Sequence, residues 1–325
     1  MTGPWQRGEF QLPDEHNERI FWSEIVPARL ADLPSRSDPL AVVQIAQPGA
    51  GKSATGNYLG SYLGVDDYVV ADSDLYKPYH PDYERLMRED DRAMTAATRI
   101  DGRIWMAKAQ QYARDHQLDV LIDHTVDDLD YFRSTLEPYR AAGYGVVVYA
   151  LAVPEALSRQ GILDRYHQQR EASGSGRLTI ASKAAAAYRG VLDGAEVVER
   201  EGIADATVAV RRGLQVAYYN QRIGGNWLSE PRLREAVERE RAQPLPDLER
   251  AGFLSRQAVL RTEVGSEFTS ELDQIDVLAE PLLQERSTTL SMHPAPDVVF
   301  TRARSAGTEL GRGRGGPDDD LGPTP

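Results

Sequence analysis

The chain of 325 residues has no cysteine, which excludes disulfides, thiol catalysis and cysteine-ligated zinc. It also lacks any apolar run near the roughly 20 residues that a membrane helix needs. The basic-then-apolar order of a secretory signal is missing at the start, where Glu9, Asp14 and Glu15 stand instead. A cytoplasmic protein is expected. Basic residues are few: 37 Lys and Arg against 50 Asp and Glu leave a net charge of −13. Such a surface repels a phosphate backbone, so neither nucleic acid nor membrane is an expected partner, although a local basic pocket for phosphates remains compatible. Apolar residues make up 41% of the chain, enough for one large α/β domain and a smaller appendage.

What is present is more specific. The apolar run 40–45 leads directly into Ala46, Gln47, Pro48, Gly49, Ala50, Gly51, Lys52, Ser53 and Ala54. A buried strand followed by a loop of small residues and a helix makes a phosphate-binding loop. Its backbone N–H groups curl around a polyphosphate and the helix N-terminus adds partial positive charge. Lys52 would reach the β- and γ-phosphates, and the Ser53 hydroxyl would sit on Mg²⁺. The pattern G-x-x-x-x-G-K-[ST] is met except at its first position, where Ala46 replaces glycine.

Further along, helical spacing over 14–30, with Asp14 as a candidate cap, precedes the first strand. Short apolar segments at 68–71, 119–123 and 144–153 read as strands two, three and four. Helical patterns lie at about 83–116 (broken near 88–91), 129–142, 155–171 and 183–192. Strands alternating with helices predict a parallel sheet flanked by helices, of the P-loop NTPase type. Segments 207–210 and 214–219, around Arg211-Arg212-Gly213, predict a C-terminal β-hairpin. The expected division is a kinase-like domain over 1–227, a helical extension of unassigned role over 228–302, and a disordered tail over 303–325. Ligands of such sheets lie beyond the carboxyl ends of the strands. Ala46–Ser53, Asp72–Asp74, Asp123–Thr125 and Pro154 should therefore converge.

A phosphotransferase needs a nucleotide clamp, a base for the accepting hydroxyl and cations for the transition state. Asp74 is the candidate base, and Asp72 the more structural of the two acids, with a possible hand on Mg²⁺. Asp123 ends the third strand, where an acid orders Mg²⁺, binds substrate or simply terminates the strand; His124 and Thr125 follow it. Arg165 and Arg177 are the candidate phosphate cations, because the planar guanidinium fork matches phosphate oxygens. The segment Ser173-Gly174-Ser175-Gly176 offers the joint of a moving lid.

Taken together these residues resemble the zeta-toxin family of P-loop kinases. The resemblance runs from about Leu12 to Tyr219. It rests on the leading helix at 20–27, the loop 47–53, the Asp72-x-Asp74-x-aromatic-Lys77-x-x-His80-Pro81 stretch, the strand end at Ile122 to Thr125, Ala152-Val153-Pro154, Arg165-Tyr166 and Arg177-x-Thr179. It implies ATP (or GTP) and Mg²⁺, and phosphorylation of the sugar 3′-hydroxyl of UDP-N-acetylglucosamine or a related nucleotide sugar. It also implies a block of cell-wall precursor synthesis and a small helical antitoxin as partner. Carried over, Asp74 is the base, Lys52 the phosphate lysine, and Arg165 and Arg177 the transition-state cations. Asp74, Lys77, His80, Asp123 and Thr125 face the acceptor, and Ser53 and Asp72 the metal. Three departures stand out: Ala46 for glycine, Asp123 where the family usually has Glu, and Asp127 where it has a substrate-binding Arg. In 93–113 only Asp101 is acidic, with no match to the family's substrate-binding Glu. A kinase with another small-molecule acceptor and a nucleotide-dependent switch are the alternative readings.

Overall fold

A computed structural model describes residues 10–284, except 53–54, 56–66, 90–93, 95–96, 175–177, 180 and 213–214. Helix α1 (Asp14–Ile20) widens into a π-helical turn (Phe21–Ile25) and continues as α2 (Val26–Arg29). Pro27 explains the widening: its ring would clash with the carbonyl of residue 23 in a regular α-helix. Pro13, not Asp14, holds the N-cap, and Asp14 stands in the acidic first turn, where it complements the helix dipole. There follow β1 (Leu40–Ile45), β2 (Val69–Ala71), α3 (Tyr83–Glu89), α4 (Arg99–His116), β3 (Val120–His124), α5 (Leu129–Ala141), β4 (Gly145–Leu151), α6 (Glu155–Ser173) and α7 (Ala181–Arg200). The chain closes with β5 (Ala206–Val210), β6 (Val216–Ile223), β7 (Asn226–Trp227), α8 (Leu233–Arg241), α9 (Asp247–Glu263) and α10 (Thr269–Ala279).

The seven strands form one sheet in the order β2-β3-β1-β4-β5-β6-β7. The first five run parallel, and β5–β6 and β6–β7 are antiparallel, as the hairpin pattern predicts. Every residue of β1 is buried, because helices cover both faces of the sheet. Successive strands depart from β1 to opposite sides, to β3 and to β4. The carboxyl end of β1 is thus a topological switch point, where a crevice opens.

One face packs α1, α4, α5, α7 and α8 through Ile20, Trp105, Phe132, Val191 and Val237. The other packs α6, α9 and α10 through Leu157, Phe253, Leu260, Leu272 and Ile275. The helices after Trp227 therefore share the sheet's own apolar cores. Phe253, Leu260, Leu272, Ile275 and Leu282 are each at most 5% exposed. Their burial contributes on the order of 10 kcal/mol as an upper bound. The tail at 303–325 lies outside the described residues. No helix among them is long and apolar enough to cross a membrane.

Candidate active site

The phosphate loop leaves β1 in a conformation that two glycines make possible. Gly49 and Gly51 have φ of +78° and +92°, left-handed values that a side chain disfavours. Gly49 also lies against α6: a Cβ there would stand 1.9 Å from the Ser158 carbonyl oxygen and 2.9 Å from the Ile162 nitrogen. Ala46 is fully buried and has no positive φ, so its position does not require glycine. The loop is tied from all sides. Gln47 Nε2 donates to the Val153 carbonyl at 2.8 Å, Arg212 Nη2 donates to the Gly49 carbonyl at 2.8 Å, and Gln44 Nε2 donates to the Lys52 carbonyl at 3.0 Å. From α8, Arg241 Nη2 donates to Gln47 Oε1 at 3.1 Å. Pro48 and Ala50 complete the curve, Ala50 being buried.

Lys52 folds back over this loop, its Nζ 3.1 Å from the Ala46 carbonyl oxygen. Burial pushes its amine below the ordinary lysine range, Asp123 and Asp72 pull it back up, and Arg165 pushes it further down. Lys52 therefore feels the charge of three side chains that come from three other elements. Burial is also the main effect on Asp123, raising its carboxyl above the usual range; Lys52 opposes this and Asp72 adds to it. A half-buried ammonium within the charge field of two acids and an arginine suits a site that receives both polyphosphate and a divalent cation. Ser53, Ala54 and Arg177 lie outside the described residues.

At the end of β2, Asp72 Oδ1 accepts from the Asp74 amide at 2.9 Å and caps the turn Ser73–Leu75. Asp74 itself reaches outward, with its Oδ1 2.5 Å from Lys77 Nζ. The Lys77 stem is buried beside Gly102, where a Cβ would approach its Cγ to 3.1 Å. Lys77 thus holds Asp74 from behind. His80 is placed otherwise than expected for a substrate contact. Its ring is buried, with Nε2 2.9 Å from the Phe10 carbonyl and Nδ1 accepting from the Asp82 amide at 3.2 Å. Both ring nitrogens are spent inside the fold. Asp101 stands 3.7 Å behind it and accepts from Asn17 Nδ2 at 2.8 Å, so this pair joins α1 to α4 rather than facing the crevice.

At the end of β3 the backbone is strained. Val126 has φ +50°, rare for a β-branched residue and a conformation that costs about 1–3 kcal/mol. Its amide donates to His124 Nδ1 at 2.9 Å, and Gly190 and Gly194 of α7 make room for it. A Cβ on Gly190 would fall 1.7 Å from the Val126 carbonyl oxygen. His124 is buried between Tyr131 and Phe132, and burial brings its pKa down to about 4. Thr125 donates through Oγ1 to Asp127 Oδ1 at 3.2 Å, and Asp127 is exposed. Arg165, exposed on α6, donates through Nη2 to Thr179 Oγ1 at 3.1 Å.

The structure therefore gathers Lys52, Asp72, Asp123 and Arg165 by charge. It sets Asp74 with Lys77, and Thr125 with Asp127, at the ends of the two neighbouring strands, and leaves His80 behind the site. Sequence reading missed Gln44, Arg212 and Arg241 as loop contacts. Arg241 is 194 residues from its partner Gln47, and no motif marks it.

Residues 27–223 match the model of the Zeta toxin family. Toxin zeta of Streptococcus pyogenes and Toxin zeta of Enterococcus hirae are each 26% identical over 129 residues, or 39% of this chain. The match spans only 44% of the length of each of those relatives. A solved structure from the PezAT chromosomal toxin–antitoxin system of Streptococcus pneumoniae superposes with a TM-score of 0.63 at 16% identity. It covers 77% of this chain and 98% of that one, a likeness of fold.

Proposed function

The chain belongs to the zeta-toxin family, a family of kinases, and from that premise we propose that it transfers the γ-phosphoryl group of ATP to a sugar hydroxyl of UDP-N-acetylglucosamine or a related nucleotide sugar. Such a product would stall cell-wall precursor synthesis. The observation that carries the reading is Lys52: a half-buried amine laid over a left-handed glycine loop, with Asp123, Arg165 and Asp72 acting on its charge. ATP supplies the phosphoryl group, and Mg²⁺ with it lowers the charge to be overcome. Gln47 to Lys52 would hold the phosphates, and Asp72, Asp123 and Ser53 would bear on the metal. GTP would fit the same loop.

The residues divide the work. Asp74, fixed by Lys77, takes the proton of the accepting hydroxyl as that oxygen bonds to phosphorus. Lys52 and Arg165, joined by Arg177, stabilise charge on the transferred group while ADP departs. Thr125 and Asp123 orient the acceptor at the end of β3. Asp127 favours a second choice of acceptor, since an exposed carboxylate beside Thr125 repels a sugar diphosphate. A small helical antitoxin that covers the nucleotide side is the proposed protein partner.

The test is mass spectrometry of the protein with ATP, Mg²⁺ and a panel of nucleotide sugars. UDP-N-acetylglucosamine should gain one phosphate, and Asp74→Asn should lose transfer by about 10²-fold or more while still binding nucleotide. Loss of ATP with every sugar unchanged would reject the nucleotide-sugar reading in favour of another acceptor or a hydrolytic switch.

A further inference from the structure

The phosphate loop is held by a residue outside the stretch that the family model matches. Arg241 ends α8, beyond residue 223. Its side chain is 6% exposed. One terminal nitrogen donates to Gln47 Oε1 at 3.1 Å and the other to the Tyr188 carbonyl at 2.9 Å, and the guanidinium lies 3.9 Å from the centre of the Tyr188 ring. Its Nε is buried without a partner. No carboxylate among the described residues lies within 4.0 Å of it; Glu155 and Glu238 act only from a distance. Burial lowers its pKa to about 10, which leaves it charged at neutral pH. Gln47, 1% exposed, is locked at its other end to Val153.

Resting on the kinase reading, we propose that Arg241 is a positioning residue for the nucleotide. Through Gln47 it fixes the start of the phosphate loop, and its uncompensated buried charge is matched only when a polyphosphate occupies that loop. A buried cation without an acid weakens the empty protein, and burial of a cation is tolerated where a ligand supplies the counter-charge. Neighbouring Arg211 shows the contrast. It sits on Glu240 in a close ion pair, so the same helix gives one arginine a contacting acid and the other only the distant Glu238. The segment after Trp227 thereby gains a part in nucleotide binding.

The experiment is calorimetric titration of the full chain with the Mg²⁺ complex of a non-hydrolysable ATP analogue, using wild type, Arg241→Met and Arg241→Lys, with melting curves beside it. Arg241→Met should bind about tenfold more weakly, as expected for a lost charge-assisted hydrogen bond, yet melt at or above the wild-type temperature. Turnover at saturating nucleotide should stay near wild type, so that the nucleotide KM carries the change. Arg241→Lys keeps the charge without the fork and should recover part of the affinity. A purely structural role would instead lower the melting temperature and leave the affinity of the folded fraction intact. Wild-type affinity in Arg241→Met overturns the inference and leaves the kinase reading standing. If Arg241→Met gives no cooperative melt, wild-type affinity in Arg241→Lys overturns it and weakened binding sustains it. A wild-type protein that binds no analogue overturns both.

Discussion

Gly49→Ala would test the geometry of the phosphate loop most directly. The new Cβ would lie 1.9 Å from the Ser158 carbonyl oxygen and 2.9 Å from the Ile162 nitrogen, both main-chain atoms of α6 that no rotamer change can move. A left-handed φ costs an L side chain about 1–2 kcal/mol, and the stiffer unfolded chain returns about 0.4–1 kcal/mol. Forcing the overlap adds about 1–3 kcal/mol, for a net loss of about 2–4 kcal/mol. Gly51→Ala is the control. Its φ is +92°, but nothing lies within 4 Å of the added carbon, so only the conformational part, about 1 kcal/mol, applies. In thermal melts the first variant should lose roughly 10 °C and the second roughly 3 °C. Titration with the ATP analogue should show binding lost in the first and weakened in the second. If Gly49→Ala melted no lower than Gly51→Ala, the close approach of the loop to α6 would be wrong.

Gly190→Ala gains about 1 kcal/mol of helix propensity on α7, yet should destabilise the protein and slow transfer, because its Cβ would displace Val126 and with it the Asp123–Asp127 turn; unchanged acceptor KM and stability would refute this. His124 titrates at about 4 in the fold against 6.5 when free, so the unfolded chain takes up its proton first. Stability is therefore undiminished above 6.5 and falls as pH drops from 6.5 toward 4, by about 3 kcal/mol at most, and His124→Gln should flatten that slope in urea melts. Lys52→Met should abolish transfer with little change in the melting temperature, since it replaces a half-buried ammonium, whose amine burial already disfavours, by an apolar chain of similar length; a large loss of stability would contradict that burial cost.

The phosphate loop was legible because its chemistry is local. Glycines at 49 and 51, Lys52 and the preceding apolar strand are fixed by a few consecutive residues. The parallel sheet and the closing hairpin were legible for the same reason: apolar runs of strand length separated by helical spacing leave few topologies. His80 illustrates the limit. The family resemblance set it facing the acceptor, whereas its ring nitrogens meet the Phe10 carbonyl and the Asp82 amide inside the fold. Val126 is a plain valine in the sequence, and only the glycines of α7, more than 60 residues later, let its strained turn exist.

By itself, then, the sequence determined the order of elements, the nucleotide loop and the acids at the strand ends, since each depends on neighbours along the chain. Tertiary structure alone decided which charges meet. The switch point between β3 and β4 brings Asp72, Asp123 and Arg165 within the electrostatic reach of Lys52, and α8 carries Arg241 across 194 residues to Gln47. Electrostatics and close packing act through space. A periodicity of 3.6 or 2 residues says which face of an element is buried, but not what is buried against it.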